Sequence, residues 1–136
     1  MDSVLALFTC FNRKEKTRQA VRGLIEGNPD LSFSFVVVDD GSTDGTAEML
    51  ESEDFGARIQ VLHGDGNLFY SGGMIMGMED ILSSGQEAEY LLMMNDDVEF
   101  YPECIQKLIA QSRAQGEAVI VGATCDREGT LSYSAI

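Results

Sequence analysis

Five short apolar runs recur along the chain and alternate with segments of helical periodicity. The runs, rich in β-branched residues, are Val4 to Thr9, Ser34 to Asp39, Ile59 to Leu62, Tyr90 to Met94 and Ala118 to Thr124. Several are apolar almost throughout, as expected for parallel strands covered on both faces. Their starts lie 25 to 31 residues apart, a spacing typical of strand–helix units with right-handed crossovers. The pattern predicts an α/β fold with a mostly parallel sheet flanked by helices.

Four helices are predicted between these runs. Asn12 followed by Glu15 has the form of an N-cap with a capping-box partner, so the first helix is expected from about Arg13 to Glu26. The other three are expected from Thr46 to Ser52, along the apolar face of Met74, Ile75, Met78, Ile81 and Leu82, and around Ile105, Leu108 and Ile109 behind Pro102.

Composition and charge narrow the class of protein. The chain has 136 residues, 44% of them hydrophobic, which indicates one globular domain over residues 1–136. Nine Lys and Arg against 23 Asp and Glu give a net charge of −14, which argues against nucleic acid or an anionic membrane surface as the main partner. An anionic substrate would need a local positive charge to bind, such as a metal ion. Three widely spaced cysteines and an N-terminus without a basic signal-peptide start favour a cytoplasmic protein.

The last residues suggest that the sequence is part of a longer chain. The segment from Asp126 to Gly129 predicts a turn, and Leu131 to Ser134 begins another extended segment where the sequence stops. A domain rarely ends on an incipient strand, so we expect a C-terminal truncation.

Three polar clusters follow predicted strands, where open parallel sheets bind their ligands. They are Thr9 to Asn12, Asp39 to Gly45, and Asn95 to Asp97. Carboxylates at neighbouring strand ends repel one another unless a cation or hydrogen-bond donors satisfy them. Carboxylate and amide oxygens suit Mg²⁺ or Mn²⁺ better than zinc. Each cluster alone is also compatible with an ordinary turn or a solvated loop, and the argument for a site rests on finding both acidic clusters on one sheet.

Other kinds of site find little support. The chain has no G-x-x-x-x-G-K-[ST] segment, and Gly64-Asp65-Gly66 opens like a dinucleotide fingerprint but has Phe69 at its third glycine position. His63 is the single histidine, which excludes a histidine zinc cluster and favours a structural residue at a strand end.

At the three polar clusters and the glycine-rich segment, the sequence resembles the N-terminal half of family 2 glycosyltransferases, which have the GT-A fold. The matching segments arrive in the family's order: Phe8 to Arg13, Val36 to Thr46, Gly66 to Gly73, and Asn95 to Val98 with Pro102 behind it. The glycine-rich segment is most similar to bacterial, rhamnosyltransferase-like members that build surface polysaccharides.

The resemblance implies a role for individual residues in binding the nucleotide. Thr9 would line the base pocket, and Asp40 would accept a hydrogen bond from a pyrimidine, supported by Asp39. By the same resemblance, Gly72 and Gly73 would belong to a nucleotide-binding segment. The family often has Arg-Asn next, where this chain has Met74-Ile75.

The resemblance also implies a metal-binding D-x-D-type motif. Asp97 matches its last aspartate and would ligate the Mg²⁺ or Mn²⁺ that bridges the diphosphate. Asp96 would contact the ribose or the water shell of the metal, and Asn95 occupies the first position of the motif, often an aspartate elsewhere.

The implied activity is inverting transfer of a sugar from a UDP- or dTDP-linked donor to a glycan or lipid-linked acceptor in the bacterial cell envelope. Such enzymes usually run past ~200 residues. The catalytic base and the acceptor elements are therefore expected beyond Ile136, with any peripheral membrane association mediated by that missing part.

Two alternatives stay open at this point. A sugar-1-phosphate nucleotidylyltransferase has a similar sheet, but the loop after the first strand, Thr9 to Lys14, has no glycine. A receiver-type Mg²⁺-binding signalling module also gathers acidic residues at strand ends, but it needs a late strand-end lysine, and no lysine follows Lys107.

Overall fold

A four-stranded parallel sheet organises the first part of the molecule. The computed structural model describes residues 1–133, in two compact units of which the first is Met1–Tyr101 and the second begins at Pro102. The strands of the first unit are β1 (Asp2–Cys10), β2 (Leu31–Asp39), β3 (Arg58–His63) and β4 (Tyr90–Met93), in the order β3-β2-β1-β4. All neighbours are parallel, which confirms the predicted α/β fold class.

Three helices accompany this sheet: α1 (Lys14–Gly27), α2 (Thr46–Ser52) and α3 (Phe69–Ser84). Leu5, Leu7 and Val36 of the sheet pack with Met74 and Ile81 of α3 in a buried cluster. Val4, Ala6 and Phe8 alternate with these positions along β1 and are also buried, so both faces of the central strand are covered. This double burial explains why the strand sequences are apolar almost throughout.

Register places the strand ends close together. Cys10 of β1 lies opposite Asp39 of β2, and Leu7 lies opposite Met93 of β4. The ladder continues one step, since the Met94 amide donates to the Leu7 carbonyl at 3.0 Å. The polar residues that follow β1, β2 and β4 therefore emerge at one edge of the sheet.

The start of α1 corrects the expectation for Asn12. The helix begins at Lys14, and its N-cap is Arg13, with no side-chain capping bond. Asn12 instead adopts a left-handed backbone, with φ of 49°, and its side chain accepts a hydrogen bond from the Thr43 amide in the next loop. The capping-box prediction is wrong because a neighbouring loop competes for the Asn12 side chain.

The second unit corrects the fifth predicted strand. It contains α4 (Cys104–Ala114), β5 (Thr124–Cys125) and β6 (Leu131–Tyr133). The expected strand Ala118 to Thr124 does not join the parallel sheet; only its last residue is in β5, which pairs antiparallel with β6. An apolar run favours extended backbone but does not specify a partner strand, and Val119 and Val121 lie exposed. The predicted turn is present, with the Gly129 amide donating to the Asp126 carbonyl, while Ser134 lies outside the described residues.

Within residues 1–133, no helix has the length and apolar character needed to cross a membrane.

Candidate functional site

The three polar clusters meet in a cleft of about 410 Å³ in the first unit, at the carboxyl edge of the sheet. The lining residues come from the ends of β1, β2 and β4, from the loop before α3 and from the first turn of α3: Thr9, Cys10, Phe11, Arg13, Asp40, Gly66, Phe69, Tyr70, Asn95, Asp96 and Asp97. The volume is in the range of small-molecule sites.

The loops after β1 and β2 are locked to each other by reciprocal hydrogen bonds. The Asn12 amide donates to the Ser42 hydroxyl at 2.9 Å, and the Thr43 amide donates to the Asn12 side-chain carbonyl at 2.7 Å. Asp44 accepts the amide of Lys14 at 3.1 Å, which satisfies a free donor in the first turn of α1. This interlock fixes the backbone on both sides of Arg13.

Asp40 organises the loop between β3 and α3. One of its carboxylate oxygens accepts the Gly66 amide at 2.8 Å, and the other accepts the amides of Leu68 and Phe69 at 3.0 and 3.1 Å. A carboxylate offers about four acceptor sites, and these three amides leave one of them unused. A Cβ on Gly64 would lie 2.5 Å from the same carboxylate, so only glycine allows this approach.

Asp39 lies outside the cleft lining and is buried. Its carboxylate accepts the amide of Ser42 at 3.1 Å, which shapes the turn after β2. The structure therefore gives Asp39 a local role beside Asp40, and its support of a bound nucleotide stays a prediction.

Thr9 lines the cleft, whereas Gly72 and Gly73 lie on α3 outside the lining. The Thr9 hydroxyl donates to the Val38 carbonyl at 3.1 Å, and its oxygen would lie 2.5 Å from a Cβ on Gly73. A Cβ on Gly72 would meet the Leu68 side chain at 3.2 Å. Gly73 thus allows close packing behind Thr9, and Gly72 leaves space for the Leu68 side chain. Direct nucleotide contacts from the two glycines stay a prediction.

Asp96 and Asp97 differ in environment although they are adjacent. The Asp96 side chain is 7% exposed and the Asp97 side chain is 40% exposed. Thr17, buried on α1, donates to one Asp96 oxygen at 3.4 Å. The same nitrogen of Arg13 lies 3.2 Å from the other Asp96 oxygen and 3.2 Å from an Asp97 oxygen. Asp96 is therefore held from two sides, and Asp97 faces solvent in the cleft.

Burial raises the pKa values of two titratable groups in this cleft. It raises the pKa of the Asp96 carboxyl; Arg13 opposes the shift, and Asp97 adds to it. Burial together with Asp39, Asp96 and Asp44 raises the pKa of the Cys10 thiol well above its usual range. A thiol that stays protonated is a poor nucleophile, so Cys10 serves as a packed wall of the cleft.

Three aromatic residues and one arginine of the cleft lining were given no individual role in the sequence analysis. Phe11, Phe69 and Tyr70 are all more than half exposed beside the cleft, and Phe69 has a φ of 55°, which is uncommon for a bulky residue. Aromatic residues that follow a strand end or adjoin a glycine turn were the available signal. Arg13 is the fourth, and its signal was a basic residue directly after the first polar cluster.

The donor set suits a hard divalent cation that completes its shell with other ligands. Among the described residues no three His, Cys, Asp or Glu side chains gather as a complete metal site. Mg²⁺ is usually held by one or two carboxylates, with waters and substrate phosphates as the other ligands. Asp97, with Asp96 beside it, fits that pattern.

Comparison with known proteins gives both a family and a fold. The family model described as "Glycosyl transferase family 2" matches residues 6–133. S. aureus TarS 1-349 is similar in structure, with a TM-score of 0.65 and 20% identity over 84% of this chain and 33% of that chain. Its complex with UDP-GlcNAc has a TM-score of 0.65 and 19% identity over 84% and 32%.

A second solved protein resembles the chain more distantly. Glucosyl-3-phosphoglycerate synthase from Mycobacterium tuberculosis, in complex with Mn²⁺, UDP and glucosyl-3-phosphoglycerate, has a TM-score of 0.50 and 15% identity over 80% of this chain and 39% of that chain. A search of curated proteins found no match. The chain spans about a third of the length of the TarS structures.

The family match covers nearly the whole chain, and the four-stranded parallel sheet agrees with the GT-A neighbours. The family match favours a glycosyltransferase over a nucleotidylyltransferase or a receiver module. The chain belongs to glycosyl transferase family 2.

Proposed function

We propose that this chain is the donor-binding part of an inverting, metal-dependent glycosyltransferase. The donor is a UDP- or dTDP-linked sugar, and the acceptor is a glycan or lipid-linked glycan of the bacterial cell envelope, reached from the cytoplasm. The observation that carries the proposal is the convergence of Thr9, Asp40, Asp96 and Asp97 in one cleft. The complexes of similar proteins with UDP-GlcNAc and with UDP and Mn²⁺ support it.

The nucleoside would lie between the ends of β1 and β2. The acceptor site of Asp40 that the loop amides leave free suits a pyrimidine N–H, and the Thr9 hydroxyl lies beside the same cleft. Phe11, Phe69 and Tyr70 offer exposed aromatic faces at this cleft for stacking on a base or a sugar.

The diphosphate would lie near the end of β4. Asp97, with its half-exposed carboxylate, would hold Mg²⁺ or Mn²⁺, and the buried Asp96 would keep the loop in place. A bound divalent ion supplies Lewis-acid stabilisation of the leaving diphosphate. None of the residues 1–133 is assigned as the catalytic base, which we place, with the acceptor-binding elements, beyond Ile136.

Calorimetric titration with UDP and with dTDP, with and without Mn²⁺ or Mg²⁺, tests the proposal. We expect at least one nucleotide to bind about tenfold more tightly or better with the metal. Asp97→Asn is expected to abolish this metal dependence, because the amide is a weaker ligand, without loss of the fold. Asp54→Asn, the same change at an exposed residue outside the cleft, is the control and should behave as the wild type.

Two results would count against the proposal. Absence of pyrimidine nucleotide binding under every condition would reject the donor site. A metal response that survives Asp97→Asn unchanged would reject Asp97 as the ligand.

A further inference from the structure

Arg13 bridges the two carboxylates of the acidic pair. One guanidinium nitrogen lies 3.2 Å from an oxygen of Asp96 and 3.2 Å from an oxygen of Asp97. These partners are more than eighty residues away along the chain. A single positive nitrogen between two adjacent carboxylates occupies the kind of position in which a divalent ion binds.

Among the described residues that line the cleft, Arg13 alone carries a positive charge. Its backbone is fixed by the interlocked loops, in which Asn12 bonds to Ser42 and Thr43, and Lys14 bonds to Asp44. Its side chain is 49% exposed, which leaves room for it to leave the carboxylates. The arrangement therefore combines a fixed origin with a movable charged end.

We propose that Arg13 stands in for the divalent ion in the metal-free protein and makes tight metal binding depend on the diphosphate of the donor. This inference rests on the proposed function. Arg13 is a positioning residue in this scheme: it keeps Asp96 and Asp97 together, leaves their oxygens when the metal binds Asp97 with its water shell next to Asp96, and then pairs with a phosphate oxygen.

Metal binding would depend on the diphosphate because Arg13 and the metal compete for the same carboxylate oxygens. Asp96 has one oxygen bonded to buried Thr17, so the oxygen that contacts Arg13 is the one left for another ligand. A guanidinium and a divalent ion repel each other and cannot both use the same pair of oxygens. Guanidinium groups bind phosphate well through paired N–H donors. Since coupling between ligands is reciprocal, nucleotide and metal should then strengthen each other's binding.

Titration of Mn²⁺ alone, without nucleotide, tests this competition in the full 136-residue chain. Arg13→Gln removes the competing charge and is expected to bind Mn²⁺ about three- to tenfold more tightly than the wild type. Lys16→Gln, the same charge change at an exposed position of α1 outside the cleft, is expected to stay within about twofold. The gain in UDP affinity that Mn²⁺ confers should be smaller in Arg13→Gln.

Equal or weaker Mn²⁺ binding by Arg13→Gln, relative to Lys16→Gln, would overturn the inference. A wild type that binds no nucleotide would instead reject the proposed function, while the comparison in Mn²⁺ alone would still decide the competition.

A second measurement needs no variant and applies if Arg13→Gln fails to fold. The Arg13 side-chain N–H signal in ¹⁵N NMR is expected to shift when Mg²⁺ saturates the wild type, since the guanidinium leaves the carboxylates. Movement of the Asp96 and Asp97 amide signals with an unchanged Arg13 side-chain signal would contradict it.

Discussion

The carboxylate of Asp40 holds three backbone amides that lead into α3. A buried carboxylate is stabilised by such donors, and the donors are in turn satisfied by it. The same bonds accompany the left-handed backbone of Phe69, whose ring lies at the cleft. Strained residues of this kind persist where surrounding contacts determine them. The loop before α3 therefore depends on one side chain at the end of β2.

Asp40→Asn is expected to destabilise the protein by about 1–3 kcal/mol, because an amide NH₂ would face a backbone donor. Urea unfolding measures the loss, and amide exchange should speed up at Gly66 and Leu68. Asp65→Asn is the matched control: Asp65 accepts the local amide of Asn67 and is exposed. Equal effects of the two substitutions would contradict the role assigned to Asp40.

At the scale of elements, α3 can approach the sheet because it has glycines where it contacts β1. A Cβ on Gly77 would overlap the buried Leu7 side chain and would meet Val38 at 3.3 Å. A Cβ on Gly73 would likewise overlap the Thr9 side chain. The glycine spacing in this segment therefore reflects helix–sheet packing beside the site.

Gly77→Ala is expected to lower the free energy of unfolding by about 1–3 kcal/mol, the usual cost of overpacking a filled core. Gly23→Ala in α1 is the comparison, since a Cβ there would meet nothing within 4 Å. That substitution should be neutral or stabilising by up to about 1 kcal/mol, because alanine favours helix. Chemical denaturation of both variants measures these changes. A Gly77→Ala protein as stable as the wild type would refute the packing account.

The contact between α1 and the end of α2 depends on charge. Arg18 and Arg22 of α1 both pair with Glu53, which follows α2. The hydrogen bond from Arg18 lowers the pKa of Glu53 below its ordinary value of 4.5, and Arg22 adds to the shift. Ionised Glu53 therefore stabilises the folded state above pH 4.5, and this contribution disappears as the pH falls through the lowered folded-state pKa.

Glu53→Gln is expected to be less stable than the wild type at pH 7, and the difference should shrink at pH values below 4.5. Urea midpoints of the two proteins at pH 7 and at pH 3 measure it. A difference that stays constant across this range would show that ionisation of Glu53 contributes nothing.

Sequence patterns predicted the elements better than their contacts. The helix from Thr46 to Ser52 and the strand ends at Asp39 have the expected bounds, because periodicity and turn residues act locally. The predictions for Asn12 and for the run from Ala118 to Thr124 failed because the outcome depends on which partner each segment meets, namely the loop residue Thr43 and the strand β6. Local patterns do not identify such partners.

In the site, too, the positions set by the strands were predictable and the contacts made by the loops were not. Parallel topology alone brings Asp96 and Asp97 to the same edge as Thr9 and Asp40, so their convergence was predictable. The bridge from Arg13 and the amides held by Asp40 depend on loop conformation, and loops are not specified by hydrophobic periodicity.

For the whole molecule, the net charge of −14 poses the main electrostatic problem for an anionic donor. One cleft-lining arginine cannot offset the acidic pair and a diphosphate together. A divalent ion at Asp97 would do so locally. An acidic surface also attracts cations non-specifically, so the position of the bound ion matters more than its affinity.

Paramagnetic line broadening in ¹⁵N NMR locates that position directly. With UDP present, small amounts of Mn²⁺ should first broaden the amide signals of Asp96, Asp97 and Arg13, and Asp97→Asn should lose this selectivity. Broadening that begins at other acidic positions such as Glu48 and Glu51, or that is unaffected by Asp97→Asn, would contradict a metal-bridged donor site in this cleft.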